Sequence, residues 1–278
     1  MSPTPPRPRP ANGRRGRPND ARSSRTSSPR GSTYEGIGGD QVEGRQAVLE
    51  LLRARRRNVK KIFMAENLES ATILDDIERE AQRQHIPVNL VSHARLDREA
   101  NTEGHQGVLA FADRLNTVSI ESLMNDPRAF LIVCDGVTDP RNLGAILRSA
   151  DGAGVTGVIL PRHRSARISP AVTKTAAGAI EYMAFCDVGG IPTALDQLNR
   201  SGVMTVGLDG EATNSLFQLD LSTGPVALVI GSEQSGLSTL TKKRCSVLAG
   251  IPQRGKISSL NASVAGSVAA FEIARQRS

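Results

Sequence analysis

The sequence predicts an α/β protein, with two successive α/β domains behind a disordered basic tail. Three observations carry that expectation. Strand-like and helix-like patterns alternate from about residue 42 to the end. Apolar stretches in the second half, such as FLIVCDGV and PVALVIG, run unbroken, as strands covered on both faces do. The composition also changes abruptly near residue 40.

Residues 1–38 contain eight arginines against Asp20 and Glu35, and so hold +6 of the chain's net charge of +7. They also contain seven of the 15 prolines and almost no large apolar residues, so burial cannot offset the entropy of ordering them. Such a tail is either a solubilising extension or a tether to a polyanion, RNA being the natural choice.

A small domain is expected over 40–115. In EGRQAVLELLRARRR, Val48, Leu51 and Leu52 fall at helical spacing, and basic residues gather at the C-terminal end, where they suit the helix dipole. KKIFMAE reads as a strand, and ATILDDIEREAQRQ as a helix with Ile73, Leu74 and Ile77 on one face. IPVNLVS and GVLAFAD read as further strands. Arg53, Arg55, Arg56, Arg57, Lys60 and Lys61 form a basic cluster that is either an RNA-binding patch or a solvated helix end. With only Phe63 and Phe111 as aromatics in this stretch, recognition by shape and phosphate is favoured over base stacking.

A linker with one short helix, RLNTVSIESLMNDPRA, leads into the second domain, expected over 126–278. Its strands are FLIVCDGV, TGVILP, YMAFCDV, VMTVGLD, PVALVIG and a last one ending near Pro252. Its helices are NLGAILRSADGAG, SPAVTKTAAGA, IPTALDQLNRSG, TLTKKRC and a C-terminal one. This alternation calls for a mostly parallel sheet.

Several classes are excluded. No apolar run approaches the ~18 residues of a membrane span, and no hydrophobic segment follows the N-terminal arginines, so neither a membrane location nor a secretory signal is expected. Cys134, Cys186 and Cys245 are odd in number and far apart, and the four histidines show no ligand spacing. Neither a disulfide framework nor a metal site is expected, and a reducing cytoplasm is the simplest home.

Three loops after predicted strands carry the candidate chemistry, where open α/β sheets place their ligands. In DPRNLGAILRSAD, Leu143, Ile146, Leu147 and Ala150 form the buried stripe. Arg148 points away from it, and Asn142 suits a helix cap. In LVIGSEQSGLS, Gly231 and Gly236 have phosphate-loop spacing, but Leu237 replaces the lysine that a nucleoside triphosphatase needs. In IPQRGKISSLNASVAG, Ser259 and Asn261 suit capping, and the small residues after them make a thin helix open to close approach.

Together, these three stretches resemble, in order and spacing, the SpoU family of RNA ribose methyltransferases in the SPOUT superfamily. DPRNLGAILRSADGAGVTGVIL is similar to the family's first motif, ALVIGSEQSGLS to its second and IPQRGKISSLNASVAGSVAAFE to its third. Upstream, VEGRQAVLELL and HQGVLA resemble the ends of the small substrate-binding domain of the ribosomal-RNA branch, so the likeness spans about residues 42–278. Gln234 and Ser235 depart from a more usual glycine-and-small pair, and Gln253 stands where methionine is frequent.

The resemblance implies a deep trefoil knot in the C-terminal domain and S-adenosylmethionine as cofactor. It places Gly231, Ile251, Leu260, Gln253 and Leu208 at the cofactor. It assigns catalysis to Arg148, assisted by Asn142, Glu233, Ser259 and Asn261, and implies no metal. It also implies a homodimer joined near the knot, in which Arg148 serves the partner's cofactor. The reaction it implies is methyl transfer to a ribose 2′-hydroxyl, with a guanosine of 23S rRNA the favoured target. The alternatives are a tRNA guanosine methyltransferase, a resistance methylase acting on an rRNA adenosine and, in another class, a non-catalytic RNA-binding assembly factor.

Overall fold

In the computed structural model, which describes Met1, residues 37–256 and residues 259–278, the chain builds two sheets. The tail expectation falls almost wholly outside the described residues. Residues from 37 onward belong to one compact unit that includes both sheets.

The first sheet has β1 (Gln41–Glu43), β2 (Val59–Ala65), β3 (Val88–Val91) and β4 (Val108–Ala112), in the order β1-β4-β2-β3. β4 runs antiparallel to both neighbours, and β2 pairs parallel with β3. Helices α1 (Arg45–Ala54) and α2 (Thr72–Arg83) cover it with Val48, Leu51, Leu52, Leu74 and Ile77. Ile73 lies partly buried at the margin of that core. β1 and α3 (His93–Glu99) went unpredicted: three residues show no period, and HARLDRE has Leu96 as its one large apolar residue.

A short helix, α4 (Ile120–Leu123), precedes the second sheet, capped by the Ser119 side chain. That sheet is parallel throughout, in the order β7-β6-β5-β10-β8-β11-β9. Its strands are β5 (Phe130–Asp135), β6 (Gly157–Pro161), β7 (Ala184–Val188), β8 (Met204–Leu208), β9 (Asn214–Ser215), β10 (Val226–Gly231) and β11 (Val247–Gly250). The unbroken apolar runs divide by period two between two cores. Phe130, Ile132, Cys134, Val226, Leu228 and Ile230 enter one; Leu131, Val133, Ala227 and Val229 enter the other.

Helices α5 (Pro140–Gly152), α6 (Pro170–Thr175) and α9 (Ala262–Arg277) pack with the first core, while α7 (Ile191–Arg200) and α8 (Thr239–Arg244) lie with the second. α6 is shorter than SPAVTKTAAGA suggests because Ala177 (φ 52°) and Gly178 (φ 90°) turn left-handed. A Cβ at Gly178 would stand 2.4 Å from that of Glu50 in α1, a close approach that favours glycine there. Chain order reverses beside β5, with β6 and β7 on one side and β10 and β8 on the other, so a crevice opens at the C-terminal ends of β5 and β10. At the far edge β11 lies between β8 and β9, and residues 209–213 carry the chain from one side of β11 to the other.

The two sheets are fastened by arginines that follow α1. Arg57, with its side chain 4 % exposed, donates from Nε to Glu181 Oε2 (3.0 Å) and from Nη2 to Glu181 Oε1, the Glu181 side chain being 1 % exposed. Its Nη1 donates to the carbonyls of Gly39 (2.5 Å) and Asp113 (2.9 Å). Arg56 Nη1 donates to the carbonyls of Glu181 and Met183, both at 2.9 Å.

Burial pushes the Cys134 thiol up to about 12, Cys186 to about 11 and Cys245 to about 12, with nearby carboxylates adding to the effect. All three therefore stay protonated at neutral pH and offer no nucleophilic thiolate.

Candidate active site

The three sequence loops converge at the crevice beside β5 and β10. Pro140 opens α5, but the cap is Asp139, whose Oδ1 accepts from Arg141 N at 2.8 Å. The capping reading of Asn142 is thus corrected: it lies one turn in, buried, with its amide turned to the crevice. Asn142 Nδ2 donates to Glu233 Oε2 at 2.8 Å. Asn261 Nδ2 donates to Asn142 Oδ1 (3.1 Å) and to Glu233 Oε1 (3.0 Å). One side chain from each loop closes a triangle.

Asn261 holds its place because it is also the cap of α9. Its Oδ1 accepts from Ser263 N (2.8 Å), Ser263 Oγ (2.6 Å) and Val264 N (3.4 Å), which leaves its amide hydrogens for the triangle. Capping and site geometry are one arrangement here. Ser259 is exposed and takes no part in that cap.

Beside the triangle is a cavity of about 200 Å³. Leu208, Gly231, Ile251, Gln253 and Leu260 all line it, together with Glu233 and Ser259. Its wall turns at residues 232–236, where Ser232 and Gly236 exchange backbone hydrogen bonds (3.0 and 2.9 Å). A Cβ at Gly231 would lie 2.2 Å from the carbonyl carbon of Gly236 and 2.4 Å from Leu237 N, so only glycine fits. Leu237, where a triphosphatase would have lysine, is buried in the second core. A second cavity, of about 980 Å³, adjoins the first and shares Ser232, Glu233, Gly236 and Ala262 with it. Sequence reasoning missed this cavity and two of its wall residues, His163 and Arg164. The signal available was the basic run RHR straight after β6.

Arg148 is not brought to this triangle. Six residues beyond Asn142, it sits ~9 Å further along α5 and on another side of the helix. It is exposed and has no hydrogen-bond or ion-pair partner among the described residues. Next to it, Ser149 Oγ accepts from Ser267 Oγ of α9 at 2.7 Å.

The thin face of α9 is used within the chain. Gly266, Ala269, Ala270 and Ile273 are buried, and a Cβ at Gly266 would come 2.6 Å from Ile230 Cδ1 of β10. Apart from Ile273, the larger apolar residues of α9 are left on the surface, with Val264 47 % and Phe271 51 % exposed and Val268 beside them.

The basic cluster after α1 also divides. Arg57 has its side chain buried against Glu181, which removes it from an RNA-facing patch, whereas Arg56 is exposed with its Nη1 engaged by two carbonyls. Arg53 pairs with Glu50 and Asp76, Arg55 with Glu80 and Lys60 with Asp113, all with exposed basic ends. Lys61 lies 4.7 Å from the ring centroids of both Phe63 and Phe111. Among the described residues no His, Cys, Asp and Glu group is arranged to hold a metal, and no helix is long and apolar enough to cross a membrane.

A parallel sheet with an apolar cavity and a carboxylate–amide triangle at its switch point defines a small-molecule-dependent enzyme of α/β class. The model of the SpoU rRNA methylase family matches residues 129–271, and that of the RNA 2′-O ribose methyltransferase substrate-binding domain matches residues 41–118. The 23S rRNA (guanosine-2′-O-)-methyltransferase RlmB of Coxiella burnetii is 38 % identical over 241 residues, covering 85 % of this chain and 95 % of that one. The protein of that name from Pasteurella multocida is 43 % identical over 209 residues, covering 73 % and 85 %. The SpoU methyltransferase AviRb of Streptomyces viridochromogenes shares the fold, with a TM-score of 0.71, 23 % identity and coverage of 85 % and 89 %; a second structure of it contains the cofactor AdoMet.

The chain belongs to the SpoU methylase family and is an S-adenosylmethionine-dependent RNA 2′-O-methyltransferase. The 200 Å³ cavity fits that cofactor: its glycine wall exposes backbone groups, and Leu208, Ile230, Ile251 and Leu260 give it apolar surface. Gly231→Ala is expected to raise the dissociation constant for S-adenosylmethionine at least about tenfold, because the obstructing atoms are backbone and cannot swing aside. Calorimetric titration of the folded variant checks this, and an unchanged constant would remove Gly231 from the cavity wall's function.

Proposed function

We propose that this enzyme methylates the ribose 2′-hydroxyl of a guanosine in 23S rRNA, the activity carried in the names of its relatives from Coxiella and Pasteurella. The observation that carries the reading is the Asn142–Glu233–Asn261 triangle at the junction of the two cavities. S-adenosylmethionine, when bound, supplies an electrophilic methyl group at the first cavity.

Glu233 faces both cavities; its carboxylate accepts from the two amides and retains lone pairs to orient ribose hydroxyls. Asn142 has one amide hydrogen beyond its bond to Glu233 and presents it toward the second cavity. Ser259 adds a hydroxyl on the first cavity's wall. A ribose hydroxyl is a weak nucleophile, so the group beside it must polarise its oxygen. Arg148 takes that role as a fixed cation that stabilises negative charge developing on the oxygen, since guanidinium does not give up its proton, and the hydroxyl proton passes to solvent water.

In this reading the enzyme is a homodimer, and Arg148 completes the partner's site. Two features support it: Arg148 has no partner among the described residues, and α9, which packs on α5, exposes the Val264–Val268–Phe271 stripe. Residues 40–115 form the RNA-binding domain, with Arg53, Arg55, Lys60 and Lys61 available to phosphates, and residues 126–278 form the catalytic domain. The passage of residues 209–213 across β11 supports the knot that the resemblance implies. The enzyme works in the cytoplasm, where ribosomal RNA is made.

Ribose-methylation mapping of rRNA and tRNA from a deletion strain tests the substrate. The expected result is loss of one guanosine site in 23S rRNA. Loss of a tRNA site or an rRNA adenosine site instead would replace the substrate, and no lost site would overturn the reading.

A further inference from the structure

The loop after β6 contains three arginines, and they have unequal fates. Arg162 and Arg167 reach Asp187, both at 3.6 Å. Arg164, between them, has no hydrogen bond or ion pair among the described residues, and with His163 it lines the 980 Å³ cavity.

The chain around Arg164 is fastened on both sides. Arg162 N donates to Val188 O (2.8 Å), Ala166 N to Val137 O (2.8 Å) and Ser165 Oγ to the same carbonyl (3.1 Å). Arg164 itself has φ 61°, a left-handed backbone that costs energy for any residue but glycine. A strained, well-anchored arginine that lines a cavity and has no partner among the described residues is arranged for an anion.

The cavity's carboxylates define which anion. Asp135 accepts from Ser238 N (2.9 Å) and Asp139 from Arg141 N (2.8 Å), while Glu233 accepts from both asparagines. Their negative charge opposes a small free anion entering alone. They suit a ligand that brings N–H and O–H donors together with one anionic group, as a nucleotide does.

We propose that Arg164, flanked by His163, grips the phosphodiester next to the target ribose and so positions the hydroxyl at the wall shared with the first cavity. This rests on the methyltransferase reading above and adds to it a positioning residue outside the three sequence motifs. Guanidinium matches phosphate with two parallel charge-assisted hydrogen bonds, and an extruded nucleotide needs such a hold because it has left its stack.

The test uses the full chain and an RNA transcript that the wild type methylates, with methyl incorporation measured over a range of salt. Arg164→Ala is expected to raise KM for RNA about tenfold, with kcat within about twofold and S-adenosylmethionine affinity unchanged. The slope of log KM against log salt should fall by about one phosphate contact. Arg164→Lys should keep the slope while recovering only part of the affinity, because the charge remains and the fork does not. An unchanged KM and slope in Arg164→Ala would overturn the proposal, as would a loss confined to kcat. A wild type that binds S-adenosylmethionine but methylates no RNA would instead overturn the reading it rests on.

Discussion

Glu181→Ala is expected to lower the free energy of unfolding by about 3–5 kcal/mol, the typical result of removing one partner from a buried ion pair. The substitution leaves the Arg57 guanidinium beneath the surface with two of its four hydrogen bonds gone. Against a usual total of about 5–15 kcal/mol, that is a large share of the fold's stability. Asp113→Ala serves as the comparison: its pair with Lys60 is solvent-exposed at both ends and should be worth less than about 1 kcal/mol. Replacing both members of the buried pair, Arg57→Met with Glu181→Leu, should cost less than Glu181→Ala alone, because no charge is then stranded. Urea unfolding midpoints check all three. A loss under about 1 kcal/mol for Glu181→Ala would mean that the guanidinium finds water on relaxation.

Arg57 also illustrates where sequence reading stops. In RARRRNVKK it is one of a run of like residues, and nothing local tells it from Arg55, which ends α1 on the surface. Its partner lies 124 positions away, in a turn that no periodicity marks. Asn142 failed differently: Pro140 and Asn142 both suit a helix start, and Asp139 won the cap, freeing the amide for the site.

What was legible follows from period and order. β5 up to Cys134 and β10 up to Ile230 are unbroken apolar runs because both faces are covered, and the glycine-flanked 231–236 loop lies where a ligand cavity then opens. Gly266 and the alanines of α9 were correctly read as a close-approach face. Their neighbours, though, are β10 and α5 of the same chain, and the outward stripe is the apolar one. Which face meets which neighbour depends on tertiary packing and is not encoded in spacing alone.

Arg148→Ala is expected to lower kcat by about 10²–10³-fold, the usual effect of removing one donor from a developing oxyanion. Its affinity for S-adenosylmethionine should not change, because Arg148 lines neither cavity of its own chain. That separation makes a sharper experiment available. A two-fold homodimer has one self-complementary interface, which pairs each α5 with its partner's site in the same way. Co-refolding Arg148→Ala subunits with Gly231→Ala subunits then yields mixed dimers in which one cavity is intact and faces an intact arginine. With half the dimers mixed and one site working in each, activity should return to about a quarter of the wild-type level. If Arg148 served its own chain, every mixed dimer would lack either the arginine or the cofactor cavity at each site, and no activity would return. The outcome turns on the distance along α5 that separates Arg148 from Asn142, and a return of activity would make the second subunit part of the catalytic centre rather than an accessory to it.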